Sequence, residues 1–229
     1  ASPRNEIIVQ ETRKGIRRKL GTKQVQKEPV LIDMLRTMVS TQPKTLLGVR
    51  NAAVILLGFS MGCRREELMG LDVEDLKFVR EGLVVTIKRS KTDQEGAGRQ
   101  VPVPYAKDKD LDATAAVKVW LEASGITEGP VFRRLHEGFS KEPHVGKKRM
   151  GPKEVARIVK LAIVACRCGD PAKYAGHSLR AGLVTEAIKG GKSMIGIKRQ
   201  TGHKSGRMIE RYFREVELFN NMNALQGLM

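Results

Sequence analysis

Residues 176–212 read GHSLRAGLVTEAIKGGKSMIGIKRQTGHKSGRMIERY and gather the side chains that decide how this chain folds and what chemistry it carries. His177 and Arg180 are three positions apart, so one helical face presents both, and the first N–H groups of a helix favour an anion. His203 and Tyr212 follow, in a chain with only four histidines and three tyrosines. Tyrosine can attack a phosphodiester, histidine can move its proton, and arginine can hold phosphate oxygens. The stretch therefore indicates chemistry at a phosphate.

The step from His203 to Tyr212 constrains the geometry of that chemistry. Nine residues on one straight helix turn through about 900°, which places the two side chains on opposite faces. They can share a site only if the chain turns between them, and Ser205-Gly206 supplies a break and a helix start. The other possibility is that a neighbouring chain supplies the tyrosine.

Composition points to a polyanionic partner. The 229 residues are 41% hydrophobic, enough for one sizeable core or one core with a small appendage. Forty-two Lys and Arg against 25 Asp and Glu give a net charge of +17, which favours nucleic acid first and an anionic membrane surface second. The longest apolar run, Ala52–Met61, is well short of the roughly 18 residues of a membrane span, and the first residues lack a signal peptide's apolar stretch.

The three cysteines, Cys63, Cys166 and Cys168, are predicted to be free thiols. Two positions on a helix point about 200° apart, so the Cys166-Cys168 pair predicts neither a metal site nor a disulfide framework. A reducing, intracellular setting is the corresponding expectation.

Apolar periodicity predicts a mostly α fold with a small antiparallel β-sheet (α+β). Alternating residues at 83–87 and 100–104 predict a hairpin with a long polar tip, and prolines in its second strand predict a sheet edge. Residues 1–28 are polar and basic and are interpreted as an arm, with a short helix as an option. A basic loop is expected at 133–151. Helices are expected at about 31–38, 44–60, 111–123, 152–167, 177–189, 205–214 and 216–225.

Further polar candidates lie in the first half of the chain. Arg64 and Glu67 are i, i+3 on one helical turn and share a face, whereas Arg65 points about 100° away. Alone, that pair is most simply a surface salt bridge. Lys91, in the hairpin tip, is alone most simply a solvated charge.

Together, in order and spacing, these motifs resemble those of the tyrosine recombinase (phage integrase) family. The resemblance runs from about Pro29 to Arg214 and implies the family's catalytic-domain fold, that of a DNA breaking-rejoining enzyme. The motifs that carry it stand here as Gly62-Cys63-Arg64-Arg65-Glu66-Glu67-Leu68, Ser90-Lys91-Thr92, His177-Ser178-Leu179-Arg180, Gly202-His203 and Tyr212.

The resemblance implies site-specific recombination or integration through a 3′-phosphotyrosine. Tyr212 would be the nucleophile and His177 the acceptor of its proton, because a phenol with an unperturbed pKa of about 10 needs a base at neutral pH. Lys91 would protonate the departing 5′ oxygen, with Lys88 as the alternative general acid.

The remaining implied roles concern the phosphate. Arg64 and Arg180 would clamp its non-bridging oxygens, His203 would donate to one of them, and Glu67 would orient the site. The resemblance implies no cofactor, neither metal nor ATP.

The implied partner is double-stranded DNA, bound by a homo-oligomer that forms a tetrameric synapse, with accessory proteins undefined and no membrane. Such a protein would be cytoplasmic and nucleoid-associated, of bacterial, phage or mobile-element origin. Further DNA contacts are predicted for Lys88, Arg89, Lys147, Lys148, Arg149 and Lys204.

The expected organisation is a basic linker at residues 1–28, the tail of an absent core-binding domain, then a catalytic domain at 29–214. A helical tail at 215–229 would dock on its own domain or on a neighbouring protomer. Two rival functions are a type IB topoisomerase and a DNA-binding module that has lost catalysis. Spacing around His203 favours the recombinase, and a binding module has no need of Tyr212.

Overall fold

The computed structural model shows a mostly helical fold with two small antiparallel sheets. The structure describes residues 6–20, 27–88, 98–136, 144–203, 205–206, 209–210 and 212–213. Its helices are α1 (Ile7–Leu20), α2 (Ile32–Ser40), α3 (Leu46–Met61), α4 (Arg65–Met69), α5 (Ala113–Ser124), α6 (Pro152–Cys166), α7 (His177–Lys189) and α8 (Met194–Thr201). Its strands are β1 (Leu76–Val79), β2 (Gly82–Ile87), β3 (Arg99–Pro104), β4 (Arg133–His136) and β5 (His144–Arg149).

Helix α3 is the centre of the core. Its sequence is apolar on nearly every face, so it is stable only where other elements cover it on all sides, and α2, α5, α6 and α7 pack around it. The Thr45 side chain accepts a hydrogen bond from the N–H of Gly48 and so begins the helix. Helices α4 and α7, which carry predicted site residues, are held in position by packing against α3.

The predicted hairpin is confirmed and is part of a larger sheet. Strands β2 and β3 pair antiparallel, and β1, which the sequence analysis does not predict, pairs with the other side of β2. Strand β3 is an edge, and its prolines, Pro102 and Pro104, are exposed as expected.

The prediction of a basic loop over residues 133–151 is wrong. Strands β4 and β5 form a second antiparallel pair, with His136 opposite His144 and Arg133 opposite Arg149. The prediction fails because these strands are rich in charged residues and lack the apolar alternation that marks a half-buried strand.

Helix α8 is the other element that the sequence analysis misses. Ser193 begins it by accepting a hydrogen bond from the N–H of Gly196, and only Ile197 and Thr201 are buried, too narrow a stripe for periodicity to reveal. Helix α1 confirms that a helix forms within the basic arm. No helix in the described ranges is both long and apolar enough to span a bilayer.

The prediction of free thiols at Cys166 and Cys168 is wrong, because the structure joins them in a disulfide. The prediction places both cysteines on one helix, but that helix ends at the first of them. Helix α6 stops at Cys166, and Arg167 takes a left-handed conformation with φ of 53°, so the two cysteines are not successive positions of one helix. Cys63 is free and buried, and burial raises the pKa of its thiol to about 12.

Helix α7 lies directly against the segment that precedes α2. The N–H of Val30 donates to the carbonyl of Ser178, and the hydroxyl of Tyr174 donates to the carboxylate of Glu28. A Cβ atom on Gly182 would overlap the carbonyl oxygen of Val30. Glycine at this position therefore allows the backbone contact that seats α7.

Replacement of Gly182 tests this contact. In Gly182→Ala the added methyl group must push α7 from the Val30 segment, and we expect the free energy of unfolding to fall by about 1–3 kcal/mol. Urea denaturation measures it. The matched control is Gly15→Ala in α1, where a Cβ meets nothing within 4 Å. An unchanged midpoint for Gly182→Ala contradicts the close contact.

Candidate active site

Arg64 and Glu67 form the first half of the site at the start of α4. Glu67 is almost completely buried, and its carboxylate accepts from the backbone N–H of Arg64 at 3.0 Å and from the Arg64 guanidinium at 2.8 Å. The same carboxylate caps the N-terminus of α4 and orients the Arg64 guanidinium. Burial alone would raise the pKa of Glu67, but the hydrogen bonds from Arg99 and Arg64 lower it, so the group is charged.

Arg180 on α7 supplies a second guanidinium, which is only 2% exposed. Its Nη1 donates to the carbonyl of Gly62 at 2.8 Å and also to the carbonyl of Thr201. Burial and the nearby charge of Arg64 lower its pKa to about 10. It therefore remains a cation at neutral pH, held by two main-chain oxygens that do not cancel its charge.

The Arg64–Glu67 pair and Arg180 meet at the turn that follows α8. Arg64 Nη2 donates to the carbonyl of Gly202 at 3.4 Å, one residue beyond the carbonyl that Arg180 holds. A third guanidinium, that of Arg99, pairs with Glu67 at 2.8 Å and donates to Thr201 at 3.4 Å. Three guanidinium groups against one carboxylate leave a charge of +2, which suits a phosphate.

Sequence reasoning misses Arg99. It opens strand β3, outside the Ser90-Lys91-Thr92 motif, and its partners lie 32 and 102 positions away in the chain. The one available signal is a lone arginine directly before an apolar strand, which is too common to single out a site residue.

His177 begins α7 beside these guanidinium groups. Its ring is exposed, but the surrounding protein atoms remove part of its hydration, and the charges of Arg180 and Arg64 repel a proton. These effects lower its pKa, which keeps the ring neutral and ready to accept a proton.

His203 is buried, and desolvation together with the Arg180 and Arg64 charges lowers its pKa to about 3. The tautomer follows from its partner. The hydroxyl of Thr201 lies 2.6 Å from the carbonyl oxygen of Ile197 and 2.7 Å from Nδ1 of His203. A carbonyl only accepts, so the hydroxyl donates to Ile197 and accepts from Nδ1–H. In the neutral ring Nε2 then carries no proton and is an acceptor.

Tyr212 is half-buried at a small apolar cluster that includes residues of α7. Its ring packs against the cluster formed by Val184, Ile188, Ile197 and Ile209. Val184 is four positions after Arg180, which is one turn or about 6 Å along the same helical face. Residues 209–210 and 212–213 are helical, and Gly206 lies in a turn after His203, as the spacing requires.

The other predicted contacts are not gathered at this site. Lys88 lies 2.6 Å from the buried carboxylate of Asp75, which raises the pKa of Lys88. Arg149 donates to Asp72 and to the carbonyls of Met69 and Leu71, so its donors serve the fold. Lys147 and Lys148 are exposed on β5. Lys91, Arg89 and Lys204 lie outside the described residues.

Within the described ranges, no three His, Cys, Asp or Glu residues lie close enough together to hold a metal ion. The arrangement gathers three guanidinium groups and two imidazoles around the turn after α8.

The chain matches the phage integrase family over residues 13–217. It is 36% identical over 228 residues to an integrase/recombinase xerD homolog of Selenomonas ruminantium, which covers 99% of this chain and 65% of that protein. It is 28% identical over 169 residues to tyrosine recombinase XerC of Myxococcus xanthus, covering 74% of this chain and 51% of that one.

Two solved structures show the same fold. The XerH recombinase in a post-cleavage complex with its difH substrate superimposes with a TM-score of 0.63 at 14% identity, over 90% of this chain and 53% of that one. A lambda integrase dimer bound to a core site gives a TM-score of 0.57 at 18% identity, over 84% and 49%. The expected mostly α fold with small antiparallel sheets is thereby confirmed.

The lowered pKa of His203 predicts acid sensitivity. In the unfolded chain the ring takes a proton below about pH 6.5, whereas in the folded protein it does so only near pH 3. Stability is therefore lost as the pH falls below 6.5, by about 2 kcal/mol between pH 6.5 and 5. His203→Asn keeps a donor for Thr201 but does not titrate, so its free energy of unfolding should fall less over this range.

Urea denaturation of both proteins at pH 7.5, 6.5, 5.5 and 5.0 measures the difference. His136→Asn, which removes an imidazole outside the site, is the matched control. Parallel curves for the wild type and His203→Asn contradict the buried neutral ring.

Proposed function

The chain belongs to the phage integrase family, and from that membership and the site geometry we propose that it cuts and rejoins double-stranded DNA at specific sites through Tyr212. The observation that carries the proposal is the convergence of Arg64 and Arg180 on the turn that holds His203, with Tyr212 packed against an apolar cluster to which Val184 of α7 belongs. The chain spans 65% of the Selenomonas relative and about half of the others, so its substrate and partners belong to this proposal.

The guanidinium groups of Arg64 and Arg180 would clamp the non-bridging oxygens of the scissile phosphate. Both are fixed before DNA arrives, one by Glu67 and the other by main-chain carbonyls. Preorganised charge of this kind stabilises the negative charge that grows on the oxygens during attack, without a cost of reorganisation.

The nucleophile would be the phenol oxygen of Tyr212. Its proton passes to the neutral ring of His177, whose lowered pKa leaves the ring unprotonated at neutral pH. The new bond joins the tyrosine oxygen to phosphorus, and the bond from phosphorus to the 5′ oxygen breaks. The product is a 3′-phosphotyrosine, and a 5′-hydroxyl can reverse the step.

The departing 5′ oxygen needs a proton, and we propose that Lys91 donates that proton. The alternative, Lys88, is already paired with Asp75, and the raised pKa of Lys88 makes it a poorer acid. The proposed reaction needs no ATP, because the phosphotyrosine retains the energy of the broken bond, and it calls for no metal, because the guanidinium groups supply the positive charge at the phosphate.

His203 would donate to a phosphate oxygen only after it gains a proton at Nε2. Its Nδ1–H is directed to Thr201, so a neutral ring offers the phosphate no donor. An incoming phosphate supplies the negative charge that the site lacks, which favours the imidazolium. The ring is thus expected to bind a proton together with DNA.

On DNA we propose a homo-oligomer that forms a tetrameric synapse, in a bacterial, phage or mobile-element setting. The structures of XerH and lambda integrase are complexes with DNA, and the charge of +17 suits the same partner. The basic arm at residues 1–28, the catalytic unit at 29–214 and a tail at 215–229 remain the proposed organisation.

Removal of the Tyr212 hydroxyl tests the nucleophile. A random duplex pool is first selected for covalent capture by the wild type under denaturing conditions, and the captured sequence is then made as a nicked suicide duplex. Tyr212→Phe should bind this duplex within about twofold of the wild type and form no covalent adduct, because the ring keeps its packing and loses only the attacking oxygen. An adduct with Tyr212→Phe shows that another residue attacks.

Two further measurements refine this experiment. A mixture of Tyr212→Phe with Arg180→Ala restores the adduct only if one protomer's tyrosine serves another's site. Exchange of strands between two captured sites identifies a recombinase, whereas relaxation of plasmids without site preference identifies a topoisomerase.

A leaving-group substitution tests the general acid. Lys91→Ala should slow adduct formation on the normal duplex, and a bridging 5′-phosphorothiolate should restore it, because the thiolate leaves without a proton. Lys88→Gln is the matched control and should keep the normal preference between the two substrates. Rescue of Lys88→Gln but not of Lys91→Ala would reverse the assignment.

A further inference from the structure

Arg99, on strand β3, contacts both Glu67 of α4 and the turn after α8. It opens strand β3, and its side chain is only 18% exposed. Its Nη2 lies 2.8 Å from Oε2 of Glu67, and its Nη1 lies 3.5 Å from Oε1. Arg64 approaches the same carboxylate at Oε1. Glu67 is therefore held from two sides by two guanidinium groups that come from different parts of the fold.

The second contact of Arg99 is with the turn after α8. Its Nη2 donates to the carbonyl of Thr201 at 3.4 Å. A Cβ atom on Gly202 would lie 2.7 Å from Nη1 and 2.8 Å from Cζ of Arg99, so the guanidinium lies directly against this glycine. His203 is the next residue. Arg99 thus supports the turn that carries His203 as well as the carboxylate that orients Arg64.

We propose that Arg99 is a positioning residue for DNA strand cleavage, an inference that rests on the proposed function. Through Glu67 it fixes the direction of the Arg64 guanidinium, and through Thr201 it fixes the turn that carries His203. Both groups must meet one phosphate, and a misplacement of about 1 Å can cost on the order of 100-fold in rate.

The contact between Arg99 and Glu67 acts through charge as well as through packing. Without Arg99 the buried Glu67 keeps its desolvation, which raises its pKa, and loses a principal hydrogen bond that lowers it. Glu67 would then take up a proton at a higher pH and cease to pair with Arg64. The placement also has a cost, because the Nε–H of Arg99 is buried without a hydrogen-bond partner among the described residues. A buried unpaired donor lowers the stability of the fold.

The test compares Arg99→Gln and Arg99→Lys with the wild type on the captured suicide duplex. Arg99→Gln should bind the duplex with little change, since Arg64 and Arg180 remain. Its rate of adduct formation should fall on the order of 10- to 100-fold. Arg99→Lys keeps the charge and one bond to Glu67 and should recover part of that loss. The acid limb of the rate–pH profile should move to higher pH in Arg99→Gln, because Glu67 protonates more readily there.

A matched control removes an arginine–carboxylate pair elsewhere. Arg36 lies 2.8 Å from Asp108 on the surface, and Arg36→Gln removes one positive charge without touching the site. It should keep the wild-type rate and pH profile. Thermal unfolding of each variant separates a loss of fold from a loss of positioning. Adduct formation by Arg99→Gln at the wild-type rate and pH profile overturns the proposal.

A crystal structure of Arg99→Gln keeps this inference separate from the proposed function. We expect the Arg64 guanidinium or the His203 ring to shift by about 1 Å or more, whether or not the protein cuts DNA. Unmoved Arg64 and His203 overturn the positioning role. A wild type that never forms an adduct overturns the proposed function instead.

Discussion

The site depends on one balance of charge, in which a single buried carboxylate and three backbone carbonyls, those of Gly62, Thr201 and Gly202, hold three guanidinium groups close together. Glu67 pairs with Arg64 and Arg99, and the carbonyls of Thr201 and Gly202 receive donors from all three arginines. Repulsion among these cations would disperse them if the surrounding helices yielded. The rigid packing of α4 and α7 against α3 is therefore a condition for the site, because it keeps like charges near one point that a phosphate can occupy.

Burial and this net positive charge together lower the pKa values of the two histidines. Desolvation is the larger cause for both His177 and His203, and the charges of Arg180 and Arg64 add to it, so both rings are neutral at neutral pH. A neutral His177 can serve as a base, but a neutral His203 with Nδ1–H on Thr201 cannot donate to the phosphate. The proposed base, His177, is thus neutral as its role requires, whereas the proposed phosphate donor, His203, must first gain a proton.

Much of the site can be predicted because its residues occur in short, ordered motifs. Arg64 with Glu67 and His177 with Arg180 have helical spacings that place each pair on one face, and the turn at Gly206 follows from the step between His203 and Tyr212. Strands β4 and β5 and helix α8 escape prediction because they bury too few apolar residues to show a period. The Cys166–Cys168 disulfide escapes it because a left-handed residue ends the helix between them, and Arg99 because its partners are distant in sequence.

The contact between α7 and the segment ahead of α2 has a mechanical consequence. Residues 27–30 are bonded to the chain just before and within the first turn of α7 through Lys27, Glu28 and Val30. While these bonds are intact, a pull on the chain ahead of Lys27 cannot move that segment without loading the end of α7 that carries His177 and Arg180. These bonds therefore couple the position of residues 27–30 to the position of His177 and Arg180 at the start of α7.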